Sequence, residues 1–357
     1  MKSLKNFYKN KKVLVTGATG FKGSWLCAWL LNLGSKVYAT GYLPNKNNIL
    51  FKSLNLSDKI NLKLFDIRDL KKLDQFVKIN KPQVIFHLAA QPLVIESYKK
   101  PHETFDINYR GTLNILELTR KHRFIKSVIC ITSDKVYENI GKIKGYKETD
   151  RLGGVDPYSA SKSSTEIMVR SYRESFFKNK NICGISTVRA GNVIGGGDWS
   201  ENRLIPDCIN FLIKKKKIVL RNPHFSRPWQ FVLEPLKGYM VLAQKQFYKP
   251  LHFSGSWNFG TQLRFSIKVI KIAELVIKSW GVGKIKILKF KKYKEQKNLQ
   301  IDSTKAKKKL KWKTVYSIKK AVSVTSDWYS EVIKKRNDPL VTTFKQINEY
   351  MKKSKII

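Results

Sequence analysis

The chain has 357 residues, of which 42% are hydrophobic and 12% aromatic, which is ample for one large domain or two closely associated ones. No apolar run approaches the roughly 18 residues of a membrane-spanning helix, and the apolar segment near the basic N-terminus is too short for a signal peptide. We therefore expect a globular protein of the cytoplasm with no membrane partner.

The formal net charge of +44 would suit a nucleic-acid-binding protein. The excess, however, is nearly all lysine and is spread along the whole chain, without an RNP motif, zinc-finger spacing or an arginine-rich arm. A spread charge is typical of a solvated surface, so we expect no specific nucleic-acid partner. The same field would still attract an anionic small-molecule substrate.

The four cysteines lie far apart and form neither a CxxC pair nor a metal-ligand pattern with histidine. We predict reduced, mostly buried thiols, with no disulfide and no metal site. These residues are Cys27, Cys130, Cys183 and Cys208.

In chain order, the first half alternates short apolar runs with longer helical patterns. "KVLVTG" precedes the helical "FKGSWLCAWLLNLG", and the runs "QVIFHLAA" and "SVICITS" flank the helical "HETFDINYRGTLNILELTRKH". Strands that alternate with helices of this length predict parallel β-α-β units. Runs without polar alternation suit strands that are covered by helices on both faces.

Beyond Gly191 the pattern changes to a glycine-rich loop, short strands such as "WNFG" and "IKILKF", and further helices. We predict an α/β fold in two parts. Residues 1–190 would form a Rossmann-type, doubly wound parallel sheet that carries the cofactor and the catalytic residues. Residues 191–357 would form a smaller, partly interleaved α/β domain that mainly binds the substrate.

The stretch "VTGATGFKGSWL" places Gly17, Gly20 and Gly23 between the first strand and the first long helix. Glycines there allow a tight turn and let a pyrophosphate reach the amides of the helix N-terminus, where the helix dipole favours negative charge. The spacing is GxxGxxG rather than GxGxxG, but the position between strand and helix is the one that a dinucleotide site requires. We predict a dinucleotide-binding loop; the alternative is an ordinary strand-to-helix turn.

A dinucleotide site often has an acidic residue after the second strand, where it holds the ribose hydroxyls. Here that strand ends "YATGYLPN", so this feature leaves the choice between NAD and NADP open. Asp66, which follows the third strand in "LFDIRD", is placed to meet the adenine. The alternative is that Asp66 is the N-cap of the helix "LKKLDQFV".

In "DPYSASK", a helix that begins near Tyr158 would place Lys162 one turn on, on the same face. A fixed ammonium nearby would stabilise the phenolate and lower the tyrosine pKa from its usual value of about 10. The pair would then supply a proton acceptor near neutral pH. A tyrosine and a lysine at this spacing also occur by chance in long helices, so the prediction depends on the nucleotide-binding half that precedes them.

In "ITSDKVY", a hydroxyl, a carboxylic acid and an amine follow an apolar strand as Ser133, Asp134 and Lys135. Ligands of open α/β sheets bind at the carboxyl ends of the strands, so these side chains are predicted to face a nicotinamide and the substrate. The alternative is a solvated polar turn. Tyr137 is expected to pack in the interior.

With these features in chain order, the sequence resembles the extended short-chain dehydrogenases/reductases. Among them it resembles the nucleotide-sugar 4,6-dehydratases, and most closely those that act on CDP-glucose. The resemblance runs from about Lys11 to Tyr329 and includes "TGATGFKGSWL", "TSDKVYEN", "DPYSASKSSTE" and "SRPWQFVLEPL". The first and third of these motifs specify only the superfamily, so the substrate assignment depends on the other two.

The resemblance implies a tightly held NAD that is reduced and reoxidised within one turnover. It implies that Tyr158, with Lys162 and Ser133, takes the proton of the sugar C4 hydroxyl, and that Asp134 protonates the departing C6 hydroxyl. Water is lost across C5 and C6, and the product is a 4-keto-6-deoxy sugar for deoxysugar and surface-polysaccharide biosynthesis. Lys135 stands where related dTDP-sugar dehydratases usually have glutamate. It would be either a neutral base at C5 or a charged group that stabilises the enolate.

By the same resemblance, two further groups of residues would hold the cofactor and the nucleotide sugar. Arginine suits the diphosphate because its planar fork binds phosphate oxygens in pairs. The resemblance also implies a homodimer or higher oligomer that pairs through the helix containing "DINYRGTLNILEL" and the helix that begins at Tyr158. The implied cofactor contacts are Gly17, Gly20, Phe21, Gly23, Asp66, Ile67, Leu88, Ala89, Ala90, Asn108, Tyr158 and Lys162, and the implied substrate contacts are Gln91, Asn192, Arg203 and Arg227.

Competing functions stay open at this point. One alternative is a 4,6-dehydratase for dTDP- or GDP-linked sugars. A second is a nucleotide-sugar 4-epimerase, which would share the glycine loop and the tyrosine–lysine pair but needs no acid beside Ser133, so Asp134 and Lys135 argue against it. A third is a non-catalytic or nucleic-acid-binding protein on the same fold, which would not need all the proton-handling residues together.

Overall fold

The computed structural model describes residues 3–42, 49–178, 182–261, 267–288 and 299–355. The last two residues of the predicted strand "IKILKF", at 289 and 290, lie outside these ranges.

Seven parallel strands form the central sheet, in the spatial order β3-β2-β1-β4-β5-β6-β11. Strands β4, β5 and β6 are buried along their whole length, as their continuous apolar sequences predict. The strand order changes direction between β1 and β4, which is where open α/β sheets bind ligands. The strands are β1 (Lys12–Thr16), β2 (Lys36–Gly41), β3 (Asn61–Leu64), β4 (Val84–His87), β5 (Ser127–Ile131), β6 (Gly184–Ala190) and β11 (Gly255–Phe259). The predicted Rossmann-type α/β fold is confirmed.

Helices connect the strands and extend the chain beyond the sheet. The helices are α1 (Leu4–Tyr8), α2 (Phe21–Asn32), α3 (Ile49–Ser53), α4 (Leu70–Asn80), α5 (Val94–Lys99), α6 (Pro101–Phe105), α7 (Gly111–Lys121), α8 (Pro157–Tyr172), α9 (Leu204–Ile213), α10 (Leu233–Tyr248), α11 (Pro250–Phe253), α12 (Val269–Trp280), α13 (Thr304–Leu310), α14 (Ile318–Tyr329) and α15 (Pro339–Ser354). A π-helical turn at Asp106–Arg110 joins α6 to α7, and another at Arg173–Phe177 continues α8.

Beyond Gly191, three pairs of short strands accompany the helices. They are β7 (Asn192–Ile194) with β10 (Trp229–Phe231), β8 (Ile218–Leu220) with β13 (Ile285–Ile287), and β9 (Ser226–Arg227) with β12 (Ile267–Lys268). The chain then returns to the central sheet, where β11 pairs with β6 and forms the edge strand. The carboxyl ends of β5 and β6 therefore lie next to residues from the second half of the chain.

Helix α2 explains how the two halves share one core. It is apolar on all sides, which is typical of a helix surrounded by protein. Trp25 and Trp29 are fully buried, and the indole nitrogen of Trp25 donates to the carbonyl of Gly196 at 2.9 Å. The glycine-rich turn that precedes α2 is thereby fixed between the sheet and the second half.

The four cysteines are buried and free, as predicted. Among the described helices, none combines the length and apolarity needed to cross a bilayer. Within the described ranges, no group of three or more histidine, cysteine or acidic side chains could hold a metal ion.

Candidate active site

The glycine-rich turn between β1 and α2 lies directly against the residues that follow β4. Gly17 has a φ of +67°, and a Cβ at this residue would come within 2.6 Å of the Ala89 backbone nitrogen. A Cβ on Gly23 would collide with the carbonyl oxygen of Gly17. Gly20 is the N-cap of α2 and has no side chain to satisfy the first amides of the helix. The turn is thus suited to bring an anionic ligand close to the backbone, as in a dinucleotide site.

A buried hydrogen-bond network holds the strand ends next to this turn in place. Thr16 Oγ1 lies 2.7 Å from His87 Nδ1, and His87 Nε2 lies 3.0 Å from Thr112 Oγ1. Burial, assisted by the charge of Lys162, lowers the pKa of His87 to about 3, so the ring is neutral. Thr16 Oγ1 also accepts a hydrogen bond from the Ala89 amide at 3.3 Å. The ends of β1 and β4 are therefore tied to α7 at the predicted cofactor contacts.

Asn108 links the segment after β4 to α8. It lies in the π-helical turn before α7, a feature that is frequent at functional sites. Its Oδ1 accepts from the Gln91 amide at 2.9 Å, and its Nδ2 donates to Ser161 Oγ at 2.9 Å. The Gln91 side chain donates to Thr104 Oγ1 and to the Leu93 carbonyl, so its amide group is engaged within the loop. The predicted contact of Gln91 with a sugar stays a prediction.

Asp66 pairs with Arg68, whose Nε lies 3.0 Å from both carboxylate oxygens, and hydrogen bonds from Arg68 lower the pKa of Asp66. The N-cap of α4 is Asp69, which accepts from the Lys72 amide at 3.0 Å. The alternative role of Asp66 as this N-cap is therefore wrong, because the helix begins after Asp69. Its predicted contact with the adenine stays a prediction.

Ser133 joins the two predicted proton-handling stretches. It follows β5, and its Oγ donates to Asp134 Oδ1 at 3.1 Å and accepts from the Lys135 amide at 3.2 Å. Ser133 also lies close enough to the Tyr158 hydroxyl to influence its pKa. Ser133 is thus hydrogen-bonded to Asp134 and lies beside Tyr158. We call Ser133, Asp134, Tyr158 and Lys162 the proton-transfer cluster.

Helix α8 presents the tyrosine and the lysine of this cluster. It begins at Pro157, and its N-cap Asp156 accepts from the Ser159 amide at 2.9 Å. The Lys162 ammonium donates to the Ile131 carbonyl at 3.2 Å, at the end of β5. The helix start and the placement of Lys162 one turn later agree with the sequence prediction.

The pKa values of this pair differ from the sequence expectation. Burial raises the pKa of Tyr158 to about 12, and this effect outweighs the opposing influence of Ser133 and of the Arg203 charge. Burial, with the charge of Lys22, lowers the pKa of Lys162 to about 8. The expectation that Tyr158 has a lowered pKa is therefore wrong for the protein alone, since removal from water disfavours the phenolate.

The pKa of Asp134 is shifted in the direction that a general acid needs. Burial raises the pKa of its carboxyl, although Lys135, Arg227 and Lys22 lie near enough for their positive charges to oppose the shift. A carboxyl with a raised pKa keeps its proton closer to neutral pH and can give it to a leaving group. The predicted acid and the predicted proton acceptor therefore lie on either side of one serine.

Lys22 is a site residue that the sequence analysis missed. It lies in the first turn of α2, and burial together with the charge of Arg203 lowers its pKa to about 8, while the charge of Asp134 opposes this shift. Its ammonium is thus close to both the glycine turn and the proton-transfer cluster. The sequence feature that could have identified this residue is the position of a lysine within the glycine-rich "GFKG" that follows the first strand.

Two of the predicted substrate contacts beyond Gly191 lie near the proton-transfer cluster. Arg203 is the N-cap residue of α9 and pairs with Asp198 Oδ2 at 2.9 Å. Its positive charge acts to lower the pKa of Tyr158. Arg227 lies in β9, with its guanidinium 5.7 Å from the centre of the Phe225 ring. Its positive charge acts to lower the pKa of Asp134. Asn192, Arg203 and Arg227 as substrate contacts, and Phe21, Ile67, Leu88 and Ala90 as cofactor contacts, stay predictions.

The strand order, the glycine turn at the switch point and the Ser-Tyr-Lys arrangement together define an extended short-chain dehydrogenase/reductase. The sequence model of the GDP-mannose 4,6 dehydratase family matches residues 14–325, and the chain belongs to this family.

The chain is similar over nearly its whole length to the CDP-glucose 4,6-dehydratase of Salmonella typhimurium. The two are 39% identical over 354 residues, which cover 97% of this chain and 98% of the relative. The dTDP-glucose 4,6-dehydratase of Bacillus anthracis, solved with NAD, superposes with a TM-score of 0.76 at 24% identity, covering 92% of this chain and 99% of that one. The UDP-glucose 4-epimerase of Thermotoga maritima gives a TM-score of 0.77 at 21% identity, covering 90% and 99%. These two structures establish the fold alone.

Proposed function

We propose that the protein is an NAD-dependent CDP-glucose 4,6-dehydratase that converts CDP-glucose to CDP-4-keto-6-deoxyglucose and water. The observation that carries the proposal is that the Asp134 carboxyl, whose pKa is raised by burial, is hydrogen-bonded to Ser133 beside Tyr158. A 4-epimerase has no elimination step and does not need this acid. The near full-length similarity to the Salmonella enzyme supports CDP-glucose as the substrate.

The glycine turn fits NAD, because no Cβ could be placed on Gly17 or Gly23 without a collision and the first amides of α2 face the turn uncapped. When bound, NAD would accept a hydride from the sugar and return it later in the same turnover. The residues that would hold it are Gly17, Gly20, Phe21, Gly23, Asp66, Ile67, Leu88, Ala89, Ala90, Asn108, Tyr158 and Lys162.

The protein's own residues would move the protons. As the phenolate, Tyr158 Oη takes the proton of the C4 hydroxyl, and the positive charge of Lys162 would stabilise that phenolate against the effect of burial. The resulting ketone acidifies C5, and the C5 proton leaves either to Lys135 or to another group while Lys135 stabilises the enolate. Asp134 gives its proton to the C6 oxygen as the C6–O bond breaks, so the oxygen departs as water. C5 regains a proton before the product is released.

The substrate would be held by cations that converge on the proton-transfer cluster. Arg203, Arg227 and the newly identified Lys22 would bind the diphosphate, and Gln91 and Asn192 would contact the sugar nucleotide. In this proposal residues 1–190 bind NAD and carry the catalytic groups, and residues 191–357 mainly bind the substrate. The reaction would take place in the cytoplasm and supply deoxysugars for a surface polysaccharide such as lipopolysaccharide.

A homodimer is proposed through the helices α7 and α8. Large apolar side chains on or next to these helices are exposed to solvent in the single chain: Tyr109 at 39%, Ile167 at 60% and Phe176 at 40%. Pairing with a second copy would cover such a face.

The test is to incubate the protein with NAD and with CDP-, dTDP-, GDP- and UDP-linked hexoses, and to detect 4-keto product by its absorbance in alkali. We expect product from CDP-glucose and none from the others. Tyr158→Phe is the control that should abolish it. Product from another nucleotide sugar would correct the substrate, and inverted C4 without keto product would identify an epimerase.

A further inference from the structure

A small cavity lies beside the carboxyl of Asp134. Its volume is about 10 Å³ for the centre of a water-sized sphere. A cavity needs roughly 10–15 Å³ by this measure to hold one water molecule, so it suits a single water and is far too small for a sugar ring. It lies between the turn after β5 and the end of β11, where Gln230, Gly260 and Thr261 form part of its wall.

The wall of this cavity includes two buried polar atoms without a hydrogen-bond partner among the described residues. They are Gln230 Oε1 and Thr261 Oγ1. Gln230 is only 2% exposed, and its Nε2 donates to the Phe259 carbonyl at 2.8 Å, which fixes the orientation of the amide. A buried acceptor left unsatisfied has lost its hydrogen bonds to water without replacement, so a polar occupant is strongly favoured.

The carboxyl of Asp134 supplies a third polar group. Its Oδ1 accepts from Ser133, while its Oδ2 lies on the side of Gly191, 3.3 Å from where a Cβ of that glycine would be. Gly191 is itself part of the cavity wall. The two carboxyl oxygens of Asp134 therefore face different partners, the serine on one side and the cavity on the other.

We propose that the cavity is a binding site for one water molecule, which is the second hydrogen-bonding partner of the Asp134 carboxyl. When Asp134 is ionised, one O–H of the water donates to Gln230 Oε1 and the other to Asp134 Oδ2, and the water oxygen accepts the hydroxyl of Thr261. This arrangement satisfies both unpaired atoms and uses both protons of the water.

The water has a role in the elimination that depends on the proposed function. A donor to the carboxylate stabilises its ionised form, which is the form that Asp134 reaches after it has protonated the departing C6 oxygen. The water thus opposes the effect of burial on Asp134. Gln230 is a positioning residue in this scheme, because it acts on the acid only through the water.

The first test is a high-resolution crystal structure of the protein without substrate. We expect an ordered water within hydrogen-bonding distance of Gln230 Oε1, Thr261 Oγ1 and Asp134 Oδ2, and its loss in Gln230→Met, whose side chain has similar length but no acceptor oxygen. A wild-type structure with no water at this position would overturn the proposal.

The second test is the pH dependence of the elimination step in single turnovers. The rate should fall as the pH rises through the pKa of Asp134, because the acid must be protonated. Gln230→Met and Thr261→Val should each move this fall to higher pH and lower the maximal rate, by roughly tenfold for Gln230→Met.

The matched control is Gln346→Met. Gln346 is also buried with an unpaired Oε1, and its Nε2 donates to the Val324 carbonyl at 2.8 Å, but it joins α15 to α14. Its pH profile should be that of the wild type, and identical profiles for Gln346→Met and Gln230→Met would overturn the proposal. If the wild type forms no 4-keto sugar, the proposed function fails, and the crystal structure still decides whether the water site exists.

Discussion

Gly17 supplies both the backbone conformation and the clearance on which the nucleotide turn depends. In Gly17→Ala, the φ of +67° would cost an L residue about 1 kcal/mol, and the new Cβ would lie 2.6 Å from the Ala89 nitrogen. We expect NAD affinity, measured by calorimetric titration, to fall at least about tenfold, since the turn must move away from β4.

Gly34→Ala separates these two causes. Gly34 has a similar φ of +77°, but the nearest atom to its Cβ position would be the Lys9 Cγ at 3.8 Å. This variant should lose stability by a similar conformational effect and bind NAD as the wild type does. Equal loss of NAD affinity in both variants would mean that general destabilisation, rather than the clearance at the turn, is responsible.

Lys135 is expected to act in elimination and not in oxidation. Lys135→Met should still reduce the cofactor in the presence of CDP-glucose. Reduced nicotinamide, followed by its absorbance, should then accumulate, because the lysine is no longer present to take the C5 proton or to stabilise the enolate. Lys144→Met, in an exposed part of the segment that follows, is the control and should behave as the wild type. Unchanged overall turnover in Lys135→Met would remove this lysine from the mechanism.

At the residue scale, the sequence predicts which groups meet but not their protonation. The position of Ser133 and Asp134 after β5 and of Tyr158 at the start of α8 was sufficient to predict that they lie close together. The pKa of Tyr158 was predicted in the wrong direction because it depends on how completely the ring is removed from water. That burial comes from packing between segments far apart in the chain, which a local pattern cannot reveal.

Helix α8 and strand β6 are held together by a fully buried ion pair. Arg189 donates to both carboxylate oxygens of Glu166, at 2.8 and 2.6 Å, and both side chains are nearly inaccessible to solvent. Thr132, immediately before Ser133, donates to the same carboxylate at 2.6 Å. The pair therefore connects the helix that carries Tyr158 to the segment that carries Asp134.

Removing one member of this pair should be strongly destabilising. Arg189→Met would leave the Glu166 carboxylate buried without its cation, and we expect a loss of about 3–5 kcal/mol in the free energy of unfolding, measured by urea denaturation. Lys335→Met removes the exposed ion pair with Glu331, 2.7 Å long, and should give no resolvable change. Comparable losses in the two variants would show that burial does not determine the contribution of the Arg189 pair.

At the element scale, the alternating strands and helices of the first half follow from local periodicity, and the structure confirms them. The return of β11 to the central sheet does not follow, since its partner residues in β6 lie about seventy residues earlier and the pairing is decided by tertiary packing. The π-helical turn that places Asn108 was also not predicted, because its sequence continues a helical pattern without a break.

The charge of the whole molecule is consistent with an anionic substrate. Lysine and arginine outnumber aspartate and glutamate by 70 to 26, and four of the cations approach the proton-transfer cluster: Lys22, Lys135, Arg203 and Arg227. A field of this sign would draw a nucleotide diphosphate towards the cleft and would weaken as salt is added. The spread of lysine over the sequence could not reveal this local convergence, because it arises from both halves of the chain.

The proposed dimer gives the last prediction. Ile167, on α8 and 60% exposed, would be covered by the second copy, and Ile167→Glu would place a charge in that interface without a partner. Sedimentation velocity should show a dimer for the wild type and a monomer for this variant. Ile79→Glu, at a residue on α4 that is 69% exposed, should leave the dimer intact. A wild-type monomer would contradict the dimer, and dissociation by both variants would place the interface elsewhere.

Because α8 also carries Tyr158 and Lys162, turnover per chain should fall in Ile167→Glu if pairing is what holds this helix in position.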